Sequence, residues 1–339
     1  MVTLADVAAK AGVGAGTVSR VLNDRPKVSP TTRARVLAAI ELLDYRPNPL
    51  ARGLSTGRCQ TLGVVVPFFT HASAVERLRG IVAALRGSRY DLVLFNVESP
   101  VHRDEHFDAL TGRDRADGLL VLSMPPPPAH LARLRAAGVP IVLVDATGVG
   151  VPCVVTDDVE GGRIATRHLL ALGHREIAFI GDETDNGFGF TSSARREQGY
   201  EEVLRAAGIR PRRSFIRHGA HERDTAIHLA SQLLKLRTPP TAIFASSDVQ
   251  ATGVLEAARV HGVRVPDDLS VVGFDDIELS AYVGLTTVRQ PLFDSGYLGA
   301  RHLLDALEGR THMVAAEHHL PLELIVRSTT THPRSSANG

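Results

Sequence analysis

The chain has 339 residues, of which 44% are hydrophobic and 22% are charged, a composition that excludes a disordered tail and a fibre and suggests about two or three domains. The 38 Lys and Arg residues nearly balance the 37 Asp and Glu residues, and the two distant cysteines, Cys59 and Cys153, exclude a disulfide scaffold. No apolar run approaches the roughly 18 residues that cross a bilayer, and the N-terminus lacks the pattern of a secretory signal, so the sequence predicts a cytoplasmic protein.

The charge is distributed unevenly along the chain. Residues 1–58 hold nine Lys and Arg residues against four Asp and Glu residues, a net charge of +5, whereas the remainder of the chain carries a net charge of −4. A small basic head on a larger, mildly acidic body is typical of a protein in which one module meets nucleic-acid phosphates and the other does not.

Three short helices are predicted in the basic head. The first begins after Thr3, whose spacing to Asp6 is that of a capping box, and ends at Gly12. The second fits residues 15–22, and the third begins at Ser29, where a capping serine precedes a proline. The inner face of the third helix is predicted to be Val36, Leu37, Ile40 and Leu43. A tight turn between the first two helices indicates a helix-turn-helix module whose second helix fits the major groove of DNA.

A fourth, very short helix is predicted between residues 48 and 54. Asn48 can cap it and Pro49 can open it, but a helix of barely two turns is marginal in water. We therefore expect it to fold only when DNA and a second subunit pack around it.

Beyond residue 58, short β-branched runs alternate with segments of helical period. The predicted strands are 62–66, 92–95, 118–122, 141–144, 154–156, 177–180, 242–245 and 269–274. The predicted helices are 77–85, 131–137, 162–172, 195–207, 225–234 and 253–260. This alternation indicates two parallel sheets with both faces covered, hence two lobes with a ligand cleft at the carboxyl ends of the strands. No sequence repeat of fixed period is recognisable.

The chain resembles the lactose-repressor (LacI/GalR) family of bacterial transcription regulators. The resemblance rests on TLADVAAKAGVGAGTVSRVLN and VSPTTRARVLAAIELLDYRPNPLARGL in the head, and on LGHREIAFI and DLSVVGFDD in the body. It implies an all-α helix-turn-helix head joined by a hinge helix to an α/β two-lobed core like that of periplasmic binding proteins. The implied parts are a DNA-binding domain over 1–46, a hinge and linker over 47–58, an effector-binding and dimerisation core over 59–330, and a disordered tail over 331–339.

The resemblance also implies DNA-contacting positions. Ala15 and Gly16 fall at the start of the recognition helix, Arg20 falls where a guanine edge is read, and Leu54 matches the residue that wedges into the minor groove. Since Ala15 and Gly16 have almost no side chain, direct readout should rest on Arg20 and on DNA shape. The other DNA-binding positions, which face phosphates or belong to the hinge, are Thr3, Thr17, Ser19, Asn23, Ser29, Thr32, Tyr45, Asn48 and Ala51.

In the core, the resemblance implies a site for a small-molecule effector, a sugar or a related polar metabolite. A common Asn-Pro-Phe-Phe of the family is replaced by residues 71–74, and its Asn-Asp is replaced by Ser247 and Asp248. Arg196 and Asp275 supply a donor fork and a carboxylate that suit a hydroxyl-rich or charged molecule. The expected effector-binding residues are Ser73, Asp145, Arg196, His221, Ser247 and Asp275.

The favoured function is an allosteric DNA-binding regulator, expected to be a repressor. It should act as a homodimer on a palindromic double-stranded operator, because two half-sites need two heads and the tail has no heptads to pair dimers. A solute-binding protein with the same core is the alternative, but it would need a secretory signal and would have no basic head.

Enzymatic functions are disfavoured, and neither a cofactor nor a metal is expected. The string from His102 to His106 has the letters of a zinc-binding H-x-x-E-H motif but lacks an evident third ligand. The glycines between Gly12 and Thr17 follow a helix rather than the strand that a dinucleotide motif requires. Adjacent aspartates cannot face each other across a sugar as a glycosidase pair must, and no P-loop or G-x-S-x-G sequence occurs.

Overall fold

A computed structural model of the chain describes residues 2–22, 26–46, 59–112, 115–183, 185 and 187–334. The chain divides into two compact units, Met1–Cys59 and Gln60–Gly339. In the described residues, no helix combines the length and the apolar character that membrane crossing requires.

The described residues of the first unit form a bundle of three helices: α1 (Leu4–Ala11), α2 (Ala15–Leu22) and α3 (Pro30–Leu42). The capping box forms as predicted, since the Thr3 hydroxyl accepts the Asp6 backbone N–H while the Asp6 carboxylate accepts the Thr3 backbone N–H. Gly12 ends α1 in the left-handed conformation, with φ of 63°. Among the described residues of this unit, the buried core consists of Val7, Ala8, Ala11, Val18, Val21, Val36 and Ala39, and larger side chains such as Leu4, Ile40 and Leu43 pack against it.

One core prediction in the head is wrong. Leu37 is 52% exposed, and Ala39 is buried in the helix bundle instead. Successive helical residues point about 100° apart, so a face that contains Val36, Ala39 and Leu43 turns Leu37 away from it. The predicted DNA-contacting residues Asn23, Asn48, Ala51 and Leu54 lie outside the described residues.

The first lobe of the second unit is a parallel six-stranded sheet in the order β11-β5-β4-β3-β1-β2. Its strands are β1 (Thr61–Pro67), β2 (Asp91–Val97), β3 (Gly118–Leu122), β4 (Ile141–Val144), β5 (Cys153–Thr156) and β11 (Glu317–Leu320). Its helices are α4 (Ala72–Leu85), α5 (Pro100–Ala109), α6 (Pro128–Ala136) and α12 (Leu292–Leu307). Alternate residues of β1 enter different apolar clusters, as expected for a sheet that is covered on both faces.

The second lobe is a six-stranded sheet in the order β12-β10-β9-β8-β6-β7. All its strands are parallel except β12, which pairs antiparallel with β10. The strands are β6 (Ile177–Asp182), β7 (Ile216–Gly219), β8 (Ala242–Ala245), β9 (Ser270–Asp275), β10 (Thr286–Arg289) and β12 (Glu323–Ile325). The helices are α7 (Asp158–Ala171), α8 (Ser192–Ala206), α9 (Arg223–Leu234), α10 (Asp248–Val260) and α11 (Glu278–Tyr282).

The two lobes repeat one topology, although the sequence shows no repeat. Strands β1 to β5 and β11 occupy the same positions in the first sheet as β6 to β10 and β12 in the second. The helix after the first strand of each lobe, α4 or α8, packs on a helix that follows a strand of the other lobe, α12 or α7 respectively. The chain therefore crosses between lobes just before each of these partner helices.

Both helix pairs cross at glycines. A Cβ atom placed on any of the four glycines would lie 2.0 Å from a backbone oxygen of the partner helix, so only glycine allows the approach. The pairs are Gly80 with Gly296 between α4 and α12, and Gly162 with Gly199 between α7 and α8.

Candidate functional site

The second helix of the head presents a surface with few side chains. Ala15, Gly16 and Arg20 on α2 are exposed, while Thr17 and Ser19 are half-buried. Apart from the adjacent residues and the backbone of α2 itself, no described atom lies within 4 Å of the place that a Cβ atom on Gly16 would occupy. Arg20 is therefore the long, charged group that this face of α2 offers to a partner.

Four other predicted DNA-binding residues take part in helix caps or pack in the head. The Thr3 hydroxyl bonds to the Asp6 carboxylate at 2.8 Å. The Ser29 hydroxyl caps α3 and donates to the Thr32 hydroxyl at 2.9 Å. Tyr45 is half-buried against the core of the bundle. These side chains stabilise the head, and they lie at helix ends or beside them.

Many polar side chains of the second unit line a cavity of about 260 Å³ between the two lobes. The first lobe contributes Ser73, Arg77 and Asp145, and the second contributes Arg196, His221 and Asp275. Five of the six predicted effector-binding residues therefore meet at one cavity, and they do so at the carboxyl ends of the strands.

Ser247, the sixth predicted residue, does not line the cavity. It is fully buried, and its hydroxyl accepts the Gln250 backbone N–H at 3.2 Å as the N-cap of α10. The next residue, Asp248, is also fully buried and accepts hydrogen bonds from the Ile277 backbone and from two hydroxyls, those of Ser280 and Thr287. Burial raises the pKa of Asp248 to about 7. Both residues thus stabilise the second lobe.

Arg196 is fixed on three sides. Its Nε donates to Asp158 Oδ1 at 2.8 Å, and its Nη1 donates to the Ser246 carbonyl at 2.7 Å. The guanidinium carbon lies 3.7 Å from the centroid of the Phe274 ring. Because Arg196 is 6% exposed and held in this way, it presents one orientation to the cavity.

Arg77 holds the corresponding position in the first lobe and was not among the predicted site residues. Its Nη2 lies 2.9 Å from Asp145 Oδ2, which also accepts the Ser123 hydroxyl at 3.1 Å. The sequence feature that could have identified Arg77 is its position on α4, where it lies on the same buried face as Ala74 and Ile81. A buried arginine on such a face needs a charged partner.

Gln290 bridges the two lobes at the floor of the cavity. It lies on the connection between β10 and α12, and its Oε1 accepts from Arg77 Nη2 at 3.3 Å. Its Nε2 donates to Asp275 Oδ1. One side-chain amide therefore joins an arginine of the first lobe to a carboxylate of the second.

A row of rings forms another wall of the cavity. Phe68 stacks on His71 at 5.1 Å, and His71 stacks on His221 at 5.5 Å, both measured between ring centroids. His221 Nδ1 lies 2.9 Å from Asp182 Oδ1, which also accepts from the Gln250 amide. These rings place an apolar surface beside the polar floor.

The two histidines have opposite pKa shifts. Burial lowers the pKa of His71, and the charge of His221 lowers it further. Burial alone would lower the pKa of His221, but the hydrogen bond and the charge of Asp182 outweigh it, so the pKa of His221 is raised. Burial would likewise raise the pKa of Asp182, but the hydrogen bond and charge of His221, the charge of Arg196 and the hydrogen bond from Gln250 together outweigh burial and lower the pKa.

The cavity has no surplus of positive charge. Its described lining includes four carboxylates, those of Asp145, Asp182, Glu183 and Asp275. The three cationic side chains are each paired: Arg77 with Asp145, Arg196 with Asp158, and His221 with Asp182. An anionic ligand would therefore find each of these cationic side chains already paired with a carboxylate.

Backbone strain is concentrated at the same place. Ser123, Asp145 and Asp275 follow or end strands of the two sheets, and they have φ values of 59°, 59° and 118°. Non-glycine residues rarely adopt such values, and they cluster at ligand sites, where the surrounding structure holds them.

The H-x-x-E-H string forms part of α5. His106 Nε2 lies 3.0 Å from the Asn96 carbonyl, and its ring packs edge-on against Phe95. Within the part of the chain that the structure describes, no three His, Cys, Asp or Glu side chains are grouped as metal ligands would be.

Comparison with known proteins identifies relatives of both units. Residues 3–48 match the family described as bacterial regulatory proteins, lacI family, and residues 166–330 match the periplasmic binding protein-like domain. Catabolite control protein A of Priestia megaterium is 34% identical over 91% of this chain and 94% of its own.

Two solved structures extend this similarity to the fold. The lac repressor dimer bound to operator and the anti-inducer ONPF is 28% identical, with a TM-score of 0.84 over 97% of this chain and 99% of its own. The complex of the transcriptional regulator CelR with cellobiose is 33% identical, with a TM-score of 0.71 over 97% of this chain and 100% of its own.

Proposed function

The chain belongs to the LacI family of DNA-binding transcription regulators with an effector-binding core, and from that premise we propose that it is a repressor whose effector is a neutral, hydroxyl-bearing molecule such as a sugar. We further propose that it binds a palindromic operator as a homodimer in the cytoplasm. Effector binding would fix the angle between the lobes and so bias the state of the head that engages DNA.

The observation that carries the effector proposal is the pairing of all three cationic groups at the cavity. Paired arginines and carboxylates leave hydrogen-bond donors and acceptors side by side without free positive charge. A hydroxyl both donates and accepts, so it fits between an arginine and a carboxylate, whereas a phosphate only accepts. The rings of Phe68 and His71 would pack on the C–H face of a sugar.

The DNA-binding proposal is supported by the charge and surface of the head. Its net charge of +5 favours contact with phosphates, and Arg20 on the exposed face of α2 can read a guanine edge. Because Ala15 and Gly16 add little beside it, the sequence preference should be dominated by the base pair that Arg20 meets and by DNA shape.

The homodimer proposal is supported by an exposed apolar patch on the second unit. Tyr282 on α11 is 77% exposed, and Phe293 stacks on Tyr297 at the start of α12. Glu278 and Phe293 line one surface depression, which places α11 and α12 next to each other. A patch of this kind marks a protein interface, and we commit to a second copy of this chain as the occupant because a relative is a dimer on its operator.

Sedimentation tests the dimer directly. We expect a dimer at low micromolar concentration and a monomer for Tyr282→Asp. The matched control is Val149→Asp, since Val149 is 86% exposed but lies on the loop after β4, in the first lobe. A monomeric parent, a tetramer, or equal effects of the two variants would contradict the proposal.

A thermal-shift screen tests the effector class. The panel contains D-glucose, D-galactose, D-ribose and cellobiose, with D-gluconate and D-glucose 6-phosphate as charged counterparts. We expect at least one neutral sugar to raise the melting temperature, since a ligand that binds the folded state stabilises it, and the charged compounds to leave it unchanged. Stabilisation by the charged compounds alone would contradict the proposal.

Gel shifts with genomic fragments, with and without the sugar that binds, then test repression.

A further inference from the structure

We propose that Arg77 is a ligand-binding arginine of the first lobe, the counterpart of Arg196 in the second, so that two arginines grip one neutral, hydroxyl-bearing effector from opposite sides. The inference rests on the effector function proposed above and adds a specificity-determining residue that the sequence analysis did not find.

The two arginines occupy equivalent places in the repeated topology. Each lies on the helix after the first strand of its lobe, α4 or α8. Each also lies three residues before the glycine at the helix crossing, Arg77 before Gly80 and Arg196 before Gly199. The backbone oxygen of each arginine faces a glycine of the partner helix at 2.0 Å from the site of a Cβ atom, so both crossings fix an arginine backbone in the same way.

The side chain of Arg77 has an unused donor. Arg77 is 2% exposed and lines the cavity, and its Nη2 carries the bonds to Asp145 and Gln290. Its Nε is buried and has no hydrogen-bond partner among the described residues. Buried donors are nearly always satisfied, so a guanidinium at the wall of a cavity with an unpaired Nε–H points to an acceptor supplied by a ligand.

The carboxylates beside the two arginines are equivalent as well. Asp145 follows β4, Asp275 ends β9, and both have positive φ values. Each lobe thus brings one arginine and one strand-end aspartate to the cavity. A molecule held between them needs an acceptor oxygen toward Arg77 and hydroxyl donors toward Asp275, which a sugar supplies and a hydrocarbon does not.

The test compares the same substitution at two arginines of α4. Arg77→Lys keeps a positive charge beside Asp145 but loses the Nε–H and the planar fork. Arg79→Lys is the matched control, since Arg79 is exposed and pairs with Glu76 within the same helix. Isothermal titration with the panel sugar that binds best should show at least a tenfold loss of affinity for Arg77→Lys. Arg79→Lys should stay within twofold of the parent.

Deoxy sugars separate ligand contact from a merely structural role. In the parent, one monodeoxy derivative of the bound sugar should lose affinity because it lacks the oxygen that Arg77 Nε meets. In Arg77→Lys the same derivative should bind as well as the full sugar, because the interaction is already absent. A structural role would weaken all derivatives equally. If Arg77→Lys does not fold, the double variant Arg77→Gln with Asp145→Asn, which removes both charges, takes its place in the same measurement.

Each outcome decides something different. Equal affinities of Arg77→Lys, Arg79→Lys and the parent overturn the role of Arg77 and leave the proposed function standing. A uniform loss across all deoxy derivatives makes Arg77 a structural residue and overturns the inference. If the parent binds none of the neutral sugars, the proposed effector class fails and the inference fails with it.

Discussion

The imidazole rings of His71 and His221 stack across the cleft, one from each lobe, with centroids 5.5 Å apart and planes inclined by 25°. Two positive rings at this distance would repel each other. The opposite pKa shifts of the pair reduce this repulsion, since Asp182 favours the protonated form of His221 while burial favours the neutral form of His71. On this side of the cavity, the contact between the lobes therefore joins a ring whose neutral form is favoured to a ring whose protonated form is favoured.

Stability should depend on pH through His221. The folded state raises its pKa above the ordinary value near 6.5, so protonated His221 contributes stability that is complete below about pH 6.5 and is lost as pH rises through the higher folded value. The charged groups that act on it are Asp182, Asp275 and Arg196, with His71 beside it. In urea denaturation, His221→Gln should therefore cost more stability at about pH 6 than at about pH 9.

The control for this measurement is His228→Gln, since His228 is exposed on α9 and bonds only to Gln232 among the interactions described for it. Its effect should be small at both pH values. A loss for His221→Gln that is independent of pH would show that the ring acts through packing alone.

Gly162→Ala should destabilise the protein by about 1–3 kcal/mol, because the added methyl overlaps a backbone oxygen of α8 and forces two packed helices apart. Gly16→Ala is the control on another helix. Its methyl meets open space, so helix propensity should leave stability unchanged or raise it by up to about 1 kcal/mol. Chemical denaturation measures both, and equal effects would mean that the crossing can relax.

Asp275→Asn and Arg196→Ala should differ in their effects on folding. Removing Arg196 leaves Asp158 buried without its cation, a change that typically costs about 3–5 kcal/mol. Asp275→Asn keeps an oxygen for the Gln290 amide and should fold normally. We expect the Asn variant to bind operator and to lose its response to the effector in a DNA-binding titration. A normal response would remove Asp275 from the site.

Arg20→Ala should weaken binding to the cognate operator by roughly 1–3 kcal/mol per half-site and change binding to random DNA little. Arg35→Ala is the control, because Arg35 is an exposed arginine on α3 rather than on α2. Fluorescence anisotropy with both DNAs measures the difference. Equal losses on the two DNAs would show that Arg20 contacts phosphate only.

The strands and helices that were predicted well are those whose own residues show a clear hydrophobic pattern. The strands over 118–122, 141–144 and 242–245 agree with the structure residue for residue, because each is a fully buried apolar run. Helix α12 was missed although it is the longest in the described chain, since Gly296 and Gly299 weaken its helical pattern. Strand β11 was missed because it is an exposed edge strand that only pairing with β5 defines.

The site was predicted in part for a similar reason. Asp145, Arg196, His221 and Asp275 stood out through family resemblance, and all four line the cavity. The hydrogen bond between Arg77 and Gln290 joins residues 213 positions apart, so no local sequence pattern predicts it. Arg77 is equivalent to Arg196 because the arrangement of strands and helices is repeated in the two lobes, although their sequences show no repeat.

The repeat between the lobes is imperfect at one point, so the charged partners of the two arginines differ between the two sides of the cleft. Asp158 lies four residues before Gly162 and neutralises Arg196, whereas the equivalent residue four before Gly296 is Leu292. Arg77 must therefore take its counter-charge from Asp145, while Asp275 is bonded to a neutral amide. If the effector is the sugar proposed above, we therefore expect it to bind in one orientation, with hydroxyl donors toward Asp275 of the second lobe.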